Sequence, residues 1–234
     1  MTMPFYVAPE QVMKDRSDYA RKGIARGKPV VALEYADGIL FMADNPSTHL
    51  YKISEIYDRI GFAAVGKYSE FENLRIAGVR LADVRGYSYG REDVTAKSIA
   101  NAYSQGLAEI FTQQMKPYEV ELLVAQVGER PEDNELFHIL YDGSVTDEDG
   151  FVAMGGESDA LRERLRGSYR AGMSLADAIR SGVGALTSQD GQGNVEAGRL
   201  EVAVLDRTRP RRKFRRLGDE ELAGILGGPS SEPA

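Results

Sequence analysis

The strand and helix signals along this chain come in blocks: one helix, strands, two helices, strands, two helices and a last strand. Strict alternation would favour a doubly wound parallel sheet. Blocks favour α+β layering, with helix pairs covering strand pairs. Two sheets stacked face to face with a helix pair on each outer side would use every element, which gives an αββα sandwich of four layers. The length of 234 residues suits one large domain or two small ones. It is enough to bury about 70% of the unfolded surface.

The blocks rest on local signals. The first eight residues, Met1 to Ala8, are apolar and aromatic but too short for an element, so they read as an arm that must pack on something. Pro9-Glu10 then opens a helix to about Lys22, proline being tolerated at the first helical position and acids favoured there. Pro29–Tyr35 and Ile39–Ala43 flank Asp37-Gly38, a strong hairpin signal. Arg59–Val65 is nearly continuous apolar sequence and is expected as a third strand buried on both faces. Helices are expected from about Ser69 to Arg85 and Thr95 to Met115. The second of these is the clearest, with Ile99, Tyr103, Leu107, Ile110 and Phe111 on one stripe and Pro117 after it. Strands follow at Val120–Val127, Leu136–Tyr141 and Phe151–Met154. Helices at Ser158–Tyr169 and Ser174–Leu186 come next, then a Gly/Gln/Asn-rich loop at Ser188–Gly198. Arg199–Leu205 reads as a strand, with Lys213–Leu217 pairing after it, and Asp219–Leu226 as a short helix. The division expected is an arm at 1–8, a domain at 9–226 and a disordered tail at 227–234.

Composition removes several chemistries. There is no cysteine, which excludes disulfides, thiolate catalysis and Cys-based metal sites. No apolar run approaches the ~20 residues that span a bilayer. Met1-Thr2-Met3-Pro4-Phe5 has neither a basic n-region nor an apolar h-region, so no secretory signal is expected. These features are consistent with a cytoplasmic location. His49 and His138 have no metal-ligand spacing and read as surface or strand residues. Glu132-Asp133 and Asp147-Glu148-Asp149 read as solvated loop acids, and Gly191-Gln192-Gly193 lacks the Lys-Ser/Thr of a phosphate-binding loop. No cofactor or metal is implied. Net charge is −7, yet Arg207, Arg209, Arg211, Arg212, Lys213, Arg215 and Arg216 crowd seven cations into ten residues. Only Phe214 interleaves an aromatic, so this run reads as a strand edge or turn that resists edge-to-edge pairing rather than a nucleic-acid patch.

A resemblance adds what chemistry does not. Pro9-Glu10-Gln11, Asp18–Arg26, Tyr51–Arg59, Lys116-Pro117-Tyr118-Glu119-Val120, Tyr141-Asp142-Gly143-Ser144 and Leu200–Pro210, in this order, resemble the α subunits of the actinobacterial 20S proteasome. The likeness covers about residues 4–217. It implies the N-terminal-nucleophile hydrolase sandwich, with two antiparallel sheets between helix layers. It implies a heptameric outer ring, stacked on rings of β subunits that hold the active sites. The implied partners are the β subunit, further copies of this chain, a hexameric ATPase and protein substrates, including those tagged with prokaryotic ubiquitin-like protein; no nucleic acid or membrane is implied.

The resemblance also assigns residues. An N-terminal nucleophile needs a free Thr at the start of the first strand, where its own α-amino group serves as base. Alignment of Val30–Leu33 with that strand puts the internal Lys28 there, so no catalytic residue is expected. Pro4, Phe5, Tyr6 and Val7 correspond to a gate at the ring axis, with Pro9 fixing the turn into the helix and Tyr19 near the gate. The Tyr-Asp-Arg gate triplet of archaeal and eukaryotic relatives is missing. Lys52 matches the lysine that receives an activator's C-terminal carboxylate, and Gly66 a position lining the same pocket, where backbone can approach the incoming tail. Two other readings stand beside this one: a self-standing N-terminal-nucleophile hydrolase released by an unrecognised cleavage, and a nucleic-acid module using Arg207–Arg216.

Overall fold

Val30–Tyr35 (β1) and Gly38–Asp44 (β2) form the hairpin expected at Asp37-Gly38, with Val30 opposite Ala43 and Tyr35 opposite Gly38. The two-residue turn is Ala36-Asp37, and Gly38 already belongs to β2. The computed structural model describes residues 8–187 and 199–227. The expected gate residues Pro4 to Val7, the loop at Ser188–Gly198 and the tail from position 228 lie outside them.

The strand expected at Arg59–Val65 is β4 (Ile60–Gly66), and a strand that was not expected, β3 (Ile53–Tyr57), precedes it across a turn at Asp58-Arg59. A register shift between Glu55 and Tyr57 explains why β3 is hard to read. Ile53 faces the core between the sheets, whereas the consecutive Ile56 and Tyr57 both turn to the helix side, which breaks the period of two. The later strands are β5 (Val120–Gln126), β6 (Glu135–Ile139), β7 (Val145–Asp147), β8 (Phe151–Met154), β9 (Leu200–Asp206) and β10 (Phe214–Arg216). β7 is an exposed edge strand, and it takes Asp147 out of the loop expected there. One sheet runs β10-β9-β2-β1-β8 and the other β3-β4-β5-β6-β7, and every pairing is antiparallel.

The helices are α1 (Pro9–Ile24), α2 (Tyr68–Ser88), α3 (Ala96–Gln113), α4 (Ser158–Ser168), α5 (Leu175–Thr187) and α6 (Asp219–Gly227). α2 and α3 lie on the β3–β7 sheet; α4 and α5 lie on the other, with α6 against α5. The four layers enclose three apolar cores. Val30, Ala32, Ile39, Phe41, Ala63, Val65, Leu123 and Ala203 fill the space between the sheets. Val31, Leu33, Leu40 and Met42, from the opposite faces of β1 and β2, meet Leu161, Leu165 and Ile179. Phe62 and Ala64 of β4 turn outward to Ile99, Tyr103 and Leu107. The inner strands read as unbroken apolar runs because each of their faces belongs to a different core. A fully buried side chain such as Phe41 contributes about 1.5–3 kcal/mol.

The helix ends follow local chemistry. Thr95 caps α3, its side chain accepting from the Ser98 amide at 3.2 Å. Thr95→Ala is expected to cost about 1 kcal/mol, read as a shift in the urea midpoint with an unchanged slope. α1 is anchored towards its end. Among its residues only Ala20 and Ile24, near its end, are buried, while Met13 and Tyr19 stay exposed.

Candidate functional site

α1 ends at Ile24 and β1 begins at Val30, so Ala25–Pro29 carries the chain from the helix into the sheet. The Gly27 amide donates to Ile24 O at 2.9 Å and closes the helix. A Cβ placed on Gly27 would lie 3.1 Å from Gly66 N, so the end of β4 passes directly beside this turn. The third approach comes from Lys52, whose Nζ donates to Lys28 O at 2.6 Å. The structure therefore brings Lys52 and Gly66 together, on either side of Gly27-Lys28.

A short folded connection delivers Lys52 to this place. After β2 the Ser47 amide donates to Asn45 Oδ1 at 3.1 Å and the Leu50 amide to Ser47 Oγ at 3.0 Å, side-chain turns that Asn and Ser favour. The Ala64 amide then donates to Lys52 O at 3.0 Å, extending the β3–β4 ladder by one residue. Charges of both signs surround the amine. Lys28 Nζ lies 3.2 Å from Asp44 Oδ2, and Arg199 Nη2 lies 3.3 Å from Asp44 Oδ1. The Glu201 carboxylate accepts from the Lys52 and Ile53 amides at 2.9 and 3.0 Å and from Arg216 Nη1 at 2.8 Å. Burial pushes the Lys52 ammonium down to a pKa of about 8; Asp44 and Glu201 act to raise it, and Lys28 lowers it further. With four cations to two carboxylates, the cluster is suited to an added anionic group.

Gly66 has a reason to be glycine that does not involve a ligand. Its φ is +112°, outside what side chains tolerate, and a Cβ there would lie 1.9 Å from Glu119 O. This is where β4 ends beside the start of β5, with Gly66 opposite Val120 and the Lys67 amide donating to Glu119 O at 2.9 Å.

Of the expected gate residues, Pro9 and Tyr19 fall within the described residues. Pro9 is exposed in the first turn of α1, after Ala8 in extended backbone. Tyr19 is 48% exposed, and its ring lies under Lys116 Nζ at 5.4 Å. Lys116 in turn pairs with Glu70 and Glu119, each at 2.8 Å. The Glu119 amide donates to Glu70 Oε2 at 2.7 Å, and the Glu119 carboxylate packs so close to Gly23 that a Cβ there would collide at 2.0 Å. The Lys116–Val120 segment thus ties α1 to α2 and β5. Tyr19, Val12, Met115 and Pro117 line an open, largely apolar groove of about 570 Å³ beside it.

The remaining candidates sort by structure. His138 is a buried strand residue, its Nε2 2.6 Å from Glu121 Oε1; His49 is exposed. Glu148 is not a solvated loop acid: it accepts from Arg162 at 3.3 Å and lies 3.5 Å from His138 Nδ1. Among the described residues no cluster of His, Asp or Glu could hold a metal, and no helix is long and apolar enough to cross a membrane. The basic run forms the β9–β10 turn and edge strand, as expected, but is bonded more than solvated. Arg207 donates to Gly128 O at 3.2 Å, Arg209 to Phe214 O at 2.7 Å, Arg212 to Glu55 at 2.5 Å and Arg215 to Glu221 at 2.7 Å. Sequence reasoning missed Asp44, Glu201 and Arg216 as parts of the Lys52 site. The available signal was an acid inside the apolar strand Leu200–Leu205, which must find partners when buried.

The chain has counterparts among known proteins. A family model described as proteasome subunit matches residues 24–205, most of the chain. The chain belongs to the proteasome subunit family. Within it the likeness is to the α type. Proteasome subunit alpha of Kineococcus radiotolerans is 60% identical over 97% of this chain and 99% of its own length. That of Thermomonospora curvata is 61% identical over 97% and 98%, and that of Xylanimonas cellulosilytica 57% over the full length of both. The α-type assignment and the layered fold expected from the sequence both hold.

Proposed function

We propose that this chain forms the heptameric outer ring of a cytoplasmic 20S proteasome core, where it admits substrates and docks activators but does not cut peptide bonds. The observation that carries the docking half is Lys52: a partly buried amine, held against the α1–β1 turn among an excess of cations. A C-terminal carboxylate arriving there gains a charge-assisted hydrogen bond. The activator this suits is a hexameric ATPase that unfolds proteins tagged with prokaryotic ubiquitin-like protein.

Two features support the rest. The position that would bear an N-terminal nucleophile is Lys28, internal, followed by Pro29 and preceded by α1. It offers neither a hydroxyl nor a free α-amine, so catalysis falls to the β subunits. α1 starts at Pro9 with little of its surface buried, which leaves Pro4 to Val7 on a support free to pack against other copies.

The test is peptidase activity of the chain co-expressed with its β subunit, intact and lacking residues 2–8, with sizing of both. The expected result is a large complex whose hydrolysis of small peptides rises severalfold on truncation. A large complex indifferent to truncation removes the gate. A chain that stays monomeric with its β subunit present removes the ring.

A further inference from the structure

Glu201 lies on β9, in one sheet, and is 8% exposed in a strand that is otherwise apolar up to Asp206. Each of its oxygens accepts twice. One takes Asn45 Nδ2 at 2.7 Å and the Lys52 amide at 2.9 Å; the other takes the Ile53 amide at 3.0 Å and Arg216 Nη1 at 2.8 Å. That fills the roughly four lone-pair sites of a carboxylate. Arg216 also donates to Ile53 O, and its guanidinium lies 4.0 Å over the Tyr51 ring. Residues 51 to 53 lead into β3, in the other sheet, so β9 and β10 clamp the backbone on both sides of the Lys52 side chain.

A buried ion pair often does no more than satisfy its own members. Two features point further here. The amides that Glu201 holds are those of Lys52 and the residue after it, and its charge also acts on the Lys52 amine. The other charged groups around that amine are Asp44 at the end of β2, Lys28 before β1, Arg199 before β9 and Arg216 on β10.

We propose that Glu201 is a positioning residue for Lys52: reaching across from the opposite sheet, it fixes the backbone that carries the amine and opposes the Lys28 cation beside it. The purpose of this arrangement rests on the docking role proposed for Lys52; its geometry does not. The basic segment at the end of the chain thereby acquires a task, since Arg216 completes the clamp.

The test uses the assembled core with its β subunit and needs no activator. Lys52 is labelled with acetic anhydride across a pH series, its peptide is followed by mass spectrometry, and exchange of the Lys52 and Ile53 amides is measured alongside. Glu201→Gln is expected to lower the pH midpoint of labelling by about one unit and Lys28→Gln to raise it. Loosening alone would expose the amine and raise the midpoint in both, towards the ordinary lysine range. Glu201→Gln should also speed exchange of the two amides about tenfold, and Lys28→Gln should not. If Glu201→Gln does not assemble, Glu201→Asp carries the test: it keeps the charge but withdraws it by one methylene, so exchange should quicken while the midpoint stays. A midpoint that Glu201→Gln leaves unmoved or raises, or exchange that neither Glu201 variant quickens, overturns the proposal. Docking is read separately, by activator binding to Lys52→Met, so either idea can fail alone.

Discussion

Lys52→Met is expected to weaken binding of an activator's C-terminal peptide to the assembled core by about 10- to 100-fold. A charge-assisted hydrogen bond contributes about 1.5–3 kcal/mol, and methionine keeps the bulk of the stem while removing the amine. The wild type carries a second signature. The Lys52 ammonium is pushed down to about 8 by burial, with Lys28 adding to the effect. The charged form is the one that pairs with a carboxylate, and it is present below about 8. As pH rises through that value the proton is lost, and binding must recover it from solution. Affinity should therefore fall about tenfold between pH 7 and 9, while Lys52→Met shows no such slope. Fluorescence anisotropy of a labelled peptide reads both. Tight binding by the methionine variant, or a flat profile in the wild type, would end the docking role of Lys52.

Gly66→Ala is expected to destabilise the chain by about 3 kcal/mol, the upper range for a residue forced into a backbone region it rarely adopts. The Cβ would have to occupy space 1.9 Å from Glu119 O at a φ of +112°. Relief requires either turning the Gly66 peptide or moving the start of β5. The second course drags Glu119 away from Gly23 of α1 and from Lys116, which lies over the Tyr19 ring of the same helix. Urea unfolding should show a lower midpoint. A variant that loses activator binding at an unchanged midpoint would instead place the importance of Gly66 in the pocket for the incoming tail.

The layered fold was legible because the element blocks and the buried strands agree. Val30–Tyr35, Gly38–Asp44 and Ile60–Gly66 are apolar on both faces, and only an inner strand between two cores needs that. β3 escaped notice because its bulge turns the consecutive Ile56 and Tyr57 to the same side, and β7 because all of its residues are exposed. Lys52 and Gly66 came from family likeness and nothing else; by composition one is a surface lysine and the other a strand end. The groups around them could not be read at all. Lys28, Asp44, Lys52 and Glu201 are brought together by the stacking of two sheets, and no local pattern encodes which strand ends share a corner. Glu148 misled for the same reason: its partners, Arg162 and His138, sit on separate elements.

The uneven anchorage of α1 has a mechanical side. Sixteen helical residues span about 24 Å, and the grip on them lies in the second half, at Arg16, which donates to Phe111 O, at Ala20 and Ile24, and at the glycine turn beyond. Were such a rod to tilt as a lever about the end next to Lys28, its far tip would be Pro9. A tilt of about five degrees at the pivot sweeps the tip through about 2 Å, close to the width of an atom. Displacements at the corner of the sandwich too small to disturb its cores would thus be magnified at Pro9.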